Sequence, residues 1–259
     1  MRFDLSHFQT QGYQVLPDLI PAETVSTVGN FLSEAYAQLM DFLKAELRIE
    51  SPEDLLAFMV KSEQEPSLFA DLSADLRQIL VGHFQLKTRL DPMLWAIPRS
   101  PRVKALLAQL YPEQSVHMHM PPTARFVLPE NRWAGVPAHQ DISYNRHMRD
   151  FVTLWTPFVP IDSLCGGVIF YKGTGHLPEQ PQAEPEKLFW QGAVSDTGWV
   201  KEQPVLKPGD GLILNPWVIH ESAPNLSQTL RISIDSRYFV GPLEKHALNL
   251  DTWEVEGGK

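Results

Sequence analysis

Leu230-Arg231-Ile232-Ser233-Ile234-Asp235 alternates apolar and polar residues one for one. That period of two is a strand, with Leu230, Ile232 and Ile234 on one face and Arg231, Ser233 and Asp235 on the other. One face meets a core and the other looks elsewhere. Turned inward, Arg231 is a guanidinium in a confined site and needs an anion. A carboxylate gripped bidentately, with the Ser233 hydroxyl beside it, would supply one. Asp235 lies too far along the strand to do so, at about 13 Å. Turned outward, Arg231 is a surface residue, and the alternation by itself admits both orientations.

Further short apolar or alternating runs, separated by Pro, Gly, Asn and Asp, place strands near 115–119, 124–128, 151–158, 167–171, 211–215 and 230–239. Strands without intervening helices favour an antiparallel jelly roll over a parallel α/β sheet. Upstream the period changes. Val25, Val28, Leu32, Ala35, Leu39 and Leu43 keep helical spacing after Pro21. Ser51-Pro52 reads as an N-cap followed by a first-turn proline, and Ser100-Pro101 repeats the device before Val103, Leu106, Leu107 and Leu110. The expectation is a mainly β protein with helical additions, the helices packed on one sheet. Residues 1–259 form one domain, with 1–114 as helical support, 115–240 as the roll and 241–259 as a C-terminal extension. Segment 172–204, carrying Pro178, Pro181 and Pro185, is a long excursion near the mouth of the roll.

The bulk numbers fit that picture. The chain has 259 residues, 43% of them hydrophobic, enough for a sizeable core. A net charge of -9 argues against nucleic acid and anionic membranes as partners. One cysteine, Cys165, excludes an intrachain disulfide and fits a reducing cytoplasm. The opening residues lack a basic start followed by a long apolar run, and no stretch is apolar enough to span a bilayer.

Pro137-Ala138-His139-Gln140-Asp141 is the most informative short segment. On extended backbone residues 139 and 141 project to one side, so an imidazole and a carboxylate could share an ion. A His-x-Asp tripeptide arises readily by chance in a chain with nine histidines. The third candidate is His220. Pro208-Gly209-Asp210-Gly211 is a turn, Leu212-Ile213-Leu214 a strand, and His220 follows Asn215-Pro216-Trp217. Two histidines and one carboxylate on one face of an ion leave the opposite face open, the arrangement of non-haem Fe(II) oxygenases. The alternative for His220 is an ordinary, partly buried histidine.

Taken in order, these pieces resemble the phytanoyl-CoA dioxygenase-like family of 2-oxoglutarate oxygenases. The stretch Phe8–Pro17 looks like the family's N-terminal strand, and His139-Gln140-Asp141 like its iron motif. Phe151-Val152-Thr153-Leu154-Trp155-Thr156 is similar to the strand that follows. Gly166 to His176 resembles a glycine-flanked strand and its Pro-Gly-Ser-His turn, with Lys172 and Thr174 in place of the usual Pro and Ser. Pro208 to His220, then Pro224-Asn225 and Arg231, resembles the closing motif. The resemblance implies a double-stranded β-helix, a jelly roll. It implies Fe(II) on His139, Asp141 and His220, with 2-oxoglutarate and O2 as cosubstrates. Arg231, Ser233, Trp155 and Arg125 would contact 2-oxoglutarate. Its reaction would be hydroxylation of a small organic molecule, with release of succinate and CO2.

Around the iron motif Arg125, Arg132, Arg146 and Arg149 are candidates to meet an anionic or strongly polar substrate; the plainer reading of the loop arginines is a solvated rim. His117 and His119 would share a strand face, and His117 is a further candidate for the pocket wall. Two other readings stand beside the oxygenase. One is a metal-binding jelly-roll isomerase or lyase that does not use 2-oxoglutarate; the other is a non-catalytic small-molecule-binding protein. A halogenase on this fold would need a small residue where Asp141 stands.

Overall fold

The computed structural model describes residues 3–148, 150–180 and 198–258. Eleven strands occur among them: β1 (Tyr13–Leu16), β2 (His117–His119), β3 (Thr123–Val127), β4 (Asp150–Pro157), β5 (Val168–Tyr171), β6 (Lys201–Glu202), β7 (Gly211–Leu214), β8 (His220–Ser222), β9 (Arg231–Val240), β10 (Ala247–Asn249) and β11 (Val255–Glu256). The larger sheet runs β1-β7-β4-β9-β2-β10-β11, with β3 also paired to β9. The smaller runs β6-β5-β8. All pairings are antiparallel. Two such sheets packed face to face make the expected jelly roll, whose six expected strands all form within a residue or two of their predicted bounds.

The helices cover the outer face of the larger sheet. Helix Ala22–Leu47 buries Val28, Leu32, Ala35, Leu39 and Leu43, five of the six positions read from the sequence. They share one core with Phe126 of β3, Leu154 of β4, and Ile232 and Ile234 of β9. Truncating a fully buried leucine such as Leu39 to alanine should cost about 2–5 kcal/mol. Ser51 caps helix Pro52–Gln64 as expected, its hydroxyl accepting from the Asp54 N–H at 3.1 Å. Ser100 precedes helix Pro101–Leu110 but makes no side-chain cap; its hydroxyl donates to the Leu19 carbonyl instead.

Two segments differ from expectation. Residues Phe8–Gln11 are the end of helix Leu5–Gln11, and the strand begins only at Tyr13. Asp4 caps that helix, accepting from the His7 N–H, and Gly12 ends it at φ 82°. Residues 241–259, expected as an extension, contribute β10 and β11, and β10 pairs with β2. Of the predicted excursion 172–204, residues 181–197 lie outside the described residues.

Helices on the outside answer the question left by the alternation in β9. Ile232 and Ile234 pack under the helical layer, so Arg231, Ser233 and Asp235 face the interior between the sheets. Beyond Asp235 the same face continues to Arg237.

Candidate active site

A cavity of about 800 Å³ opens between the sheets and reaches the helical layer. It is lined by His139, Asp141 and His220, by Thr153 and Trp155 of β4, and by Arg231, Ser233, Asp235 and Arg237 of β9.

His139 and His220 come together by backbone pairing. The His139 N–H donates to the His220 carbonyl at 2.9 Å, and the His220 N–H donates back at 3.0 Å. Their ring centroids are 4.2 Å apart. Backbone remains extended through Gln140, then Asp141 opens a 3-10 turn, Asp141–Ser143. Ligand atoms of His139, Asp141 and His220 all lie within 4.8 Å of one another.

Gln140 latches the two halves. Its Nε2 donates to the Trp217 carbonyl at 2.7 Å, and its Oε1 accepts from the Gln180 N–H. Trp217 belongs to the turn that delivers His220. In that turn Asn215 Oδ1 accepts from the Trp217 and Val218 N–H groups, and Asn215 Nδ2 donates to the Gly175 carbonyl. Gly12 and Gly175 touch here; a Cβ on Gly12 would stand 2.9 Å from the Gly175 Cα. Thr174 is one of the two departures from the family's usual turn, and it keeps a working hydroxyl. Its Oγ1 donates to the Tyr171 carbonyl and accepts from the Ile219 N–H, one residue before His220.

The donor set suits a divalent ion. In both histidines Nδ1 contacts a backbone carbonyl, Pro137 for His139 and Val218 for His220. That fixes Nδ1 as the protonated nitrogen and leaves the Nε2 lone pair as the ligand atom. Burial, then the neighbouring His139, lowers the His220 pKa to about 4, so its imidazole is neutral at pH 7. Asp141 is 2% exposed. Burial pushes its carboxyl up, but Arg237, with the proximity of His139 and His220, outweighs burial and holds it well below the usual range. Thr153 Oγ1 donates to Asp141 Oδ2 at 2.5 Å, and Arg237 lies 3.3 Å from Oδ1.

Arg231 is buried at 5% exposure. One of its terminal nitrogens donates to the Ala223 carbonyl at 3.0 Å, and its Nε has no partner. Burial, then Arg125, lowers its pKa to about 10. Arg125 sits opposite Ser233 in the β3–β9 pairing and donates to the Val81 and Ala134 carbonyls. Trp155, Ser233 and Arg125 all line the cavity.

Other candidates fall elsewhere. Arg132 pairs with Glu63 and Arg146 with Glu179, both with exposed guanidinium groups outside the cavity. His117 is buried against Phe239, with Nε2 3.6 Å from Glu256, and does not reach the cavity. Arg149 lies outside the described residues. Cys165 is buried and free, its thiol pKa raised by burial. Arg237, Thr153, Tyr144, Arg77 and His83 were not singled out from the sequence, although all five line the cavity. For Arg237 the signal was present: alternation from Arg231 runs two residues past Asp235. Arg77 and His83 come from the helical region, where no local pattern marks a cavity wall.

The family model of phytanoyl-CoA dioxygenase (PhyH) matches residues 8–233. The chain belongs to that family. Among curated relatives, 1-deoxypentalenic acid 11-beta-hydroxylase of Streptomyces exfoliatus is 29% identical over 121 residues, 42% of each chain. The peroxisomal phytanoyl-CoA dioxygenase of Bos taurus is 30% identical over 113 residues, 39% of this chain and 33% of the relative. These matches span less than half the length of either relative. Among solved structures, the epimerase SnoN in complex with Fe3+, alpha ketoglutarate and nogalamycin RO superposes with a TM-score of 0.57 at 17% identity, covering 91% of this chain and 81% of that one. EvdO2 from Micromonospora carbonacea var. aurantiaca, complexed with 2-oxoglutarate, gives 0.54 at 16% identity, covering 95% and 94%. Both superpositions show that this chain shares its fold with those structures. No helix among the described residues is long and apolar enough to cross a membrane.

Proposed function

We propose that this chain is an Fe(II)- and 2-oxoglutarate-dependent dioxygenase. It hydroxylates a C–H bond of a small organic molecule with release of succinate and CO2. One observation carries the reading: a His–Asp–His set and a buried arginine that has no carboxylate partner among the described residues share one cavity. A ligand with a metal-chelating end and a distal carboxylate would satisfy both, and 2-oxoglutarate is such a ligand.

In this reading His139 and His220 bind Fe(II) through Nε2 and Asp141 through one carboxylate oxygen. Fe(II), 2-oxoglutarate and O2 together supply the oxidising power for the C–H bond. Arg231 and Ser233 grip the distal carboxylate and orient the cosubstrate. Trp155 forms one wall beside it, and Arg125 completes the basic end. Thr153 and Arg237 hold the Asp141 carboxylate in place. Phe69, Trp133 and Val81 keep water from the reacting face.

Hydroxylation is favoured over other outcomes because a sequence relative bears a hydroxylase name. Structural neighbours include an epimerase and a carbocyclase, at lower identity. A single free cysteine and a net charge of -9 support a cytoplasmic enzyme without nucleic-acid or membrane partners. The test is succinate release from 2-oxoglutarate in air. Release should require added Fe(II) and vanish in Asp141→Ala. Release by the variant at the parent rate would contradict the assignment.

A further inference from the structure

Resting on the oxygenase reading, we propose that the helical side of the cavity is a subsite for an amphipathic organic anion, with Arg77 as its anchor. Arg77 lies on helix Ala74–Leu80 and lines the cavity half-buried, while Gln78 beside it is exposed. This marks the outer end; Asp141 and Arg231 are at the buried end. Arg77 donates to the Ala70 carbonyl at 2.7 Å, which pins the guanidinium across the gap between two helical segments. No carboxylate among the described residues pairs with it, and four of its five N–H donors remain for a ligand.

Phe69, Val81, Trp133 and Val136 give the cavity apolar wall, beside the polar side chains of His83, Arg125 and Tyr144. Trp133 is fixed, its Nε1 donating to Glu63 at 2.8 Å. Glu63 is itself paired with Arg132, so it does not oppose an incoming anion.

A charge count points the same way. The interior of the cavity carries three guanidinium groups, Arg125, Arg231 and Arg237, against two carboxylates, Asp141 and Asp235. Glu221 also lines it but pairs with Lys201. One positive charge remains. Fe(II) adds two and the 2-oxoglutarate dianion removes two, so the loaded site keeps that excess. Arg77 adds another at the entrance. Confined charge of one sign selects ligands of the other. The substrate class is an acid with an apolar body, its carboxylate on Arg77 and its hydrocarbon portion running inward. About 800 Å³ accommodates such a ligand beside the cosubstrate.

The test uses octanoate, with 1-octanol as its neutral counterpart, titrated calorimetrically into the full chain. Titrations are run on metal-free protein and on protein loaded with Mn(II) and 2-oxoglutarate. Octanoate should bind more tightly than 1-octanol in both states. Arg77→Gln should weaken octanoate about tenfold, the scale of one charged hydrogen bond, and leave 1-octanol unchanged. Arg77→Lys should retain most of the affinity. Equal binding of acid and alcohol, no octanoate binding, or an Arg77→Gln variant with parental octanoate affinity would each overturn the proposal. Failure of Mn(II) and 2-oxoglutarate to load, with Arg77 dependence intact, would sink only the oxygenase reading. Parental melting temperatures for both variants would exclude misfolding.

Discussion

Arg237 sets its guanidinium 3.3 Å from Asp141 Oδ1, so the carboxylate expected to bind the metal is already paired with a partly buried cation. In metal-free protein each group compensates the other's burial. Removing one partner of a fully buried pair costs about 3–5 kcal/mol, and with the Arg237 side chain 19% exposed the cost here should fall below that range. Arg237→Gln and Asp141→Ala should therefore each destabilise the metal-free protein while leaving it folded. Their effects should overlap, the double variant losing well under the sum. Urea melts of the three variants test this. Full additivity would mean that the pair is not coupled. Divalent metal should narrow the Arg237→Gln deficit, since the ion takes over neutralisation of Asp141.

Gln140→Ala removes the latch between the iron motif and the turn that delivers His220. The ligands should stay but lose their mutual placement. Mn(II) affinity, followed by magnetic resonance of the free ion, should fall about 10–100-fold, as when a group supporting a metal ligand is lost. Parental affinity would show that the His139–His220 backbone pairing suffices alone.

The polar face of β9 could be read from the sequence as a candidate site, but not as an interior one. Its direction depended on what covers Ile232 and Ile234, and that cover comes from helix Ala22–Leu47, far away in the chain. His139, Asp141, His220 and Arg231 were legible because type, spacing and strand context coincide. Arg132 and Arg146 were not separable from true cavity arginines, because loop arginines take their role from whichever carboxylate is near, here Glu63 and Glu179. Arg77 was silent for the converse reason: a helix shows its periodicity, not which cavity it borders.

Arg231→Ala should raise the 2-oxoglutarate requirement at least tens-fold, because losing one partner of a buried charge pair costs about 2–5 kcal/mol. Arg231→Lys should recover only part of this, a lysine being unable to make the bidentate grip. Succinate release against cosubstrate concentration measures it. An unchanged requirement in Arg231→Ala would remove Arg231 from the cosubstrate site.

Asp235 gives a pH signature. Burial raises its carboxyl pKa to about 6, against the opposing pull of Arg237 and Arg125. Its unfolded value is about 3.9. Between these values the folded chain holds the proton and the unfolded chain does not. This group's contribution to stability is therefore full below pH 4, declines as pH rises through 6, and is flat above. The decline is on the order of 3 kcal/mol. Asp235→Asn abolishes the titration, so the variant should gain on the parent by that amount between pH 4 and pH 7. Parallel stability curves would place the Asp235 carboxyl in an ordinary solvated setting.

The central claim is that one metal ion and 2-oxoglutarate meet in this cavity, between the His139–Asp141–His220 set and Arg231. Anaerobic titration of the protein with Fe(II), then with 2-oxoglutarate, tests it most directly. One ferrous ion should bind per chain, and 2-oxoglutarate should then produce the visible absorption band of a ferrous 2-oxo acid chelate. His220→Ala should lose the band, and Arg231→Ala should shift its appearance to higher 2-oxoglutarate concentration. A ferrous ion that binds undiminished in His220→Ala, or a complex in which 2-oxoglutarate produces no band, would contradict the account.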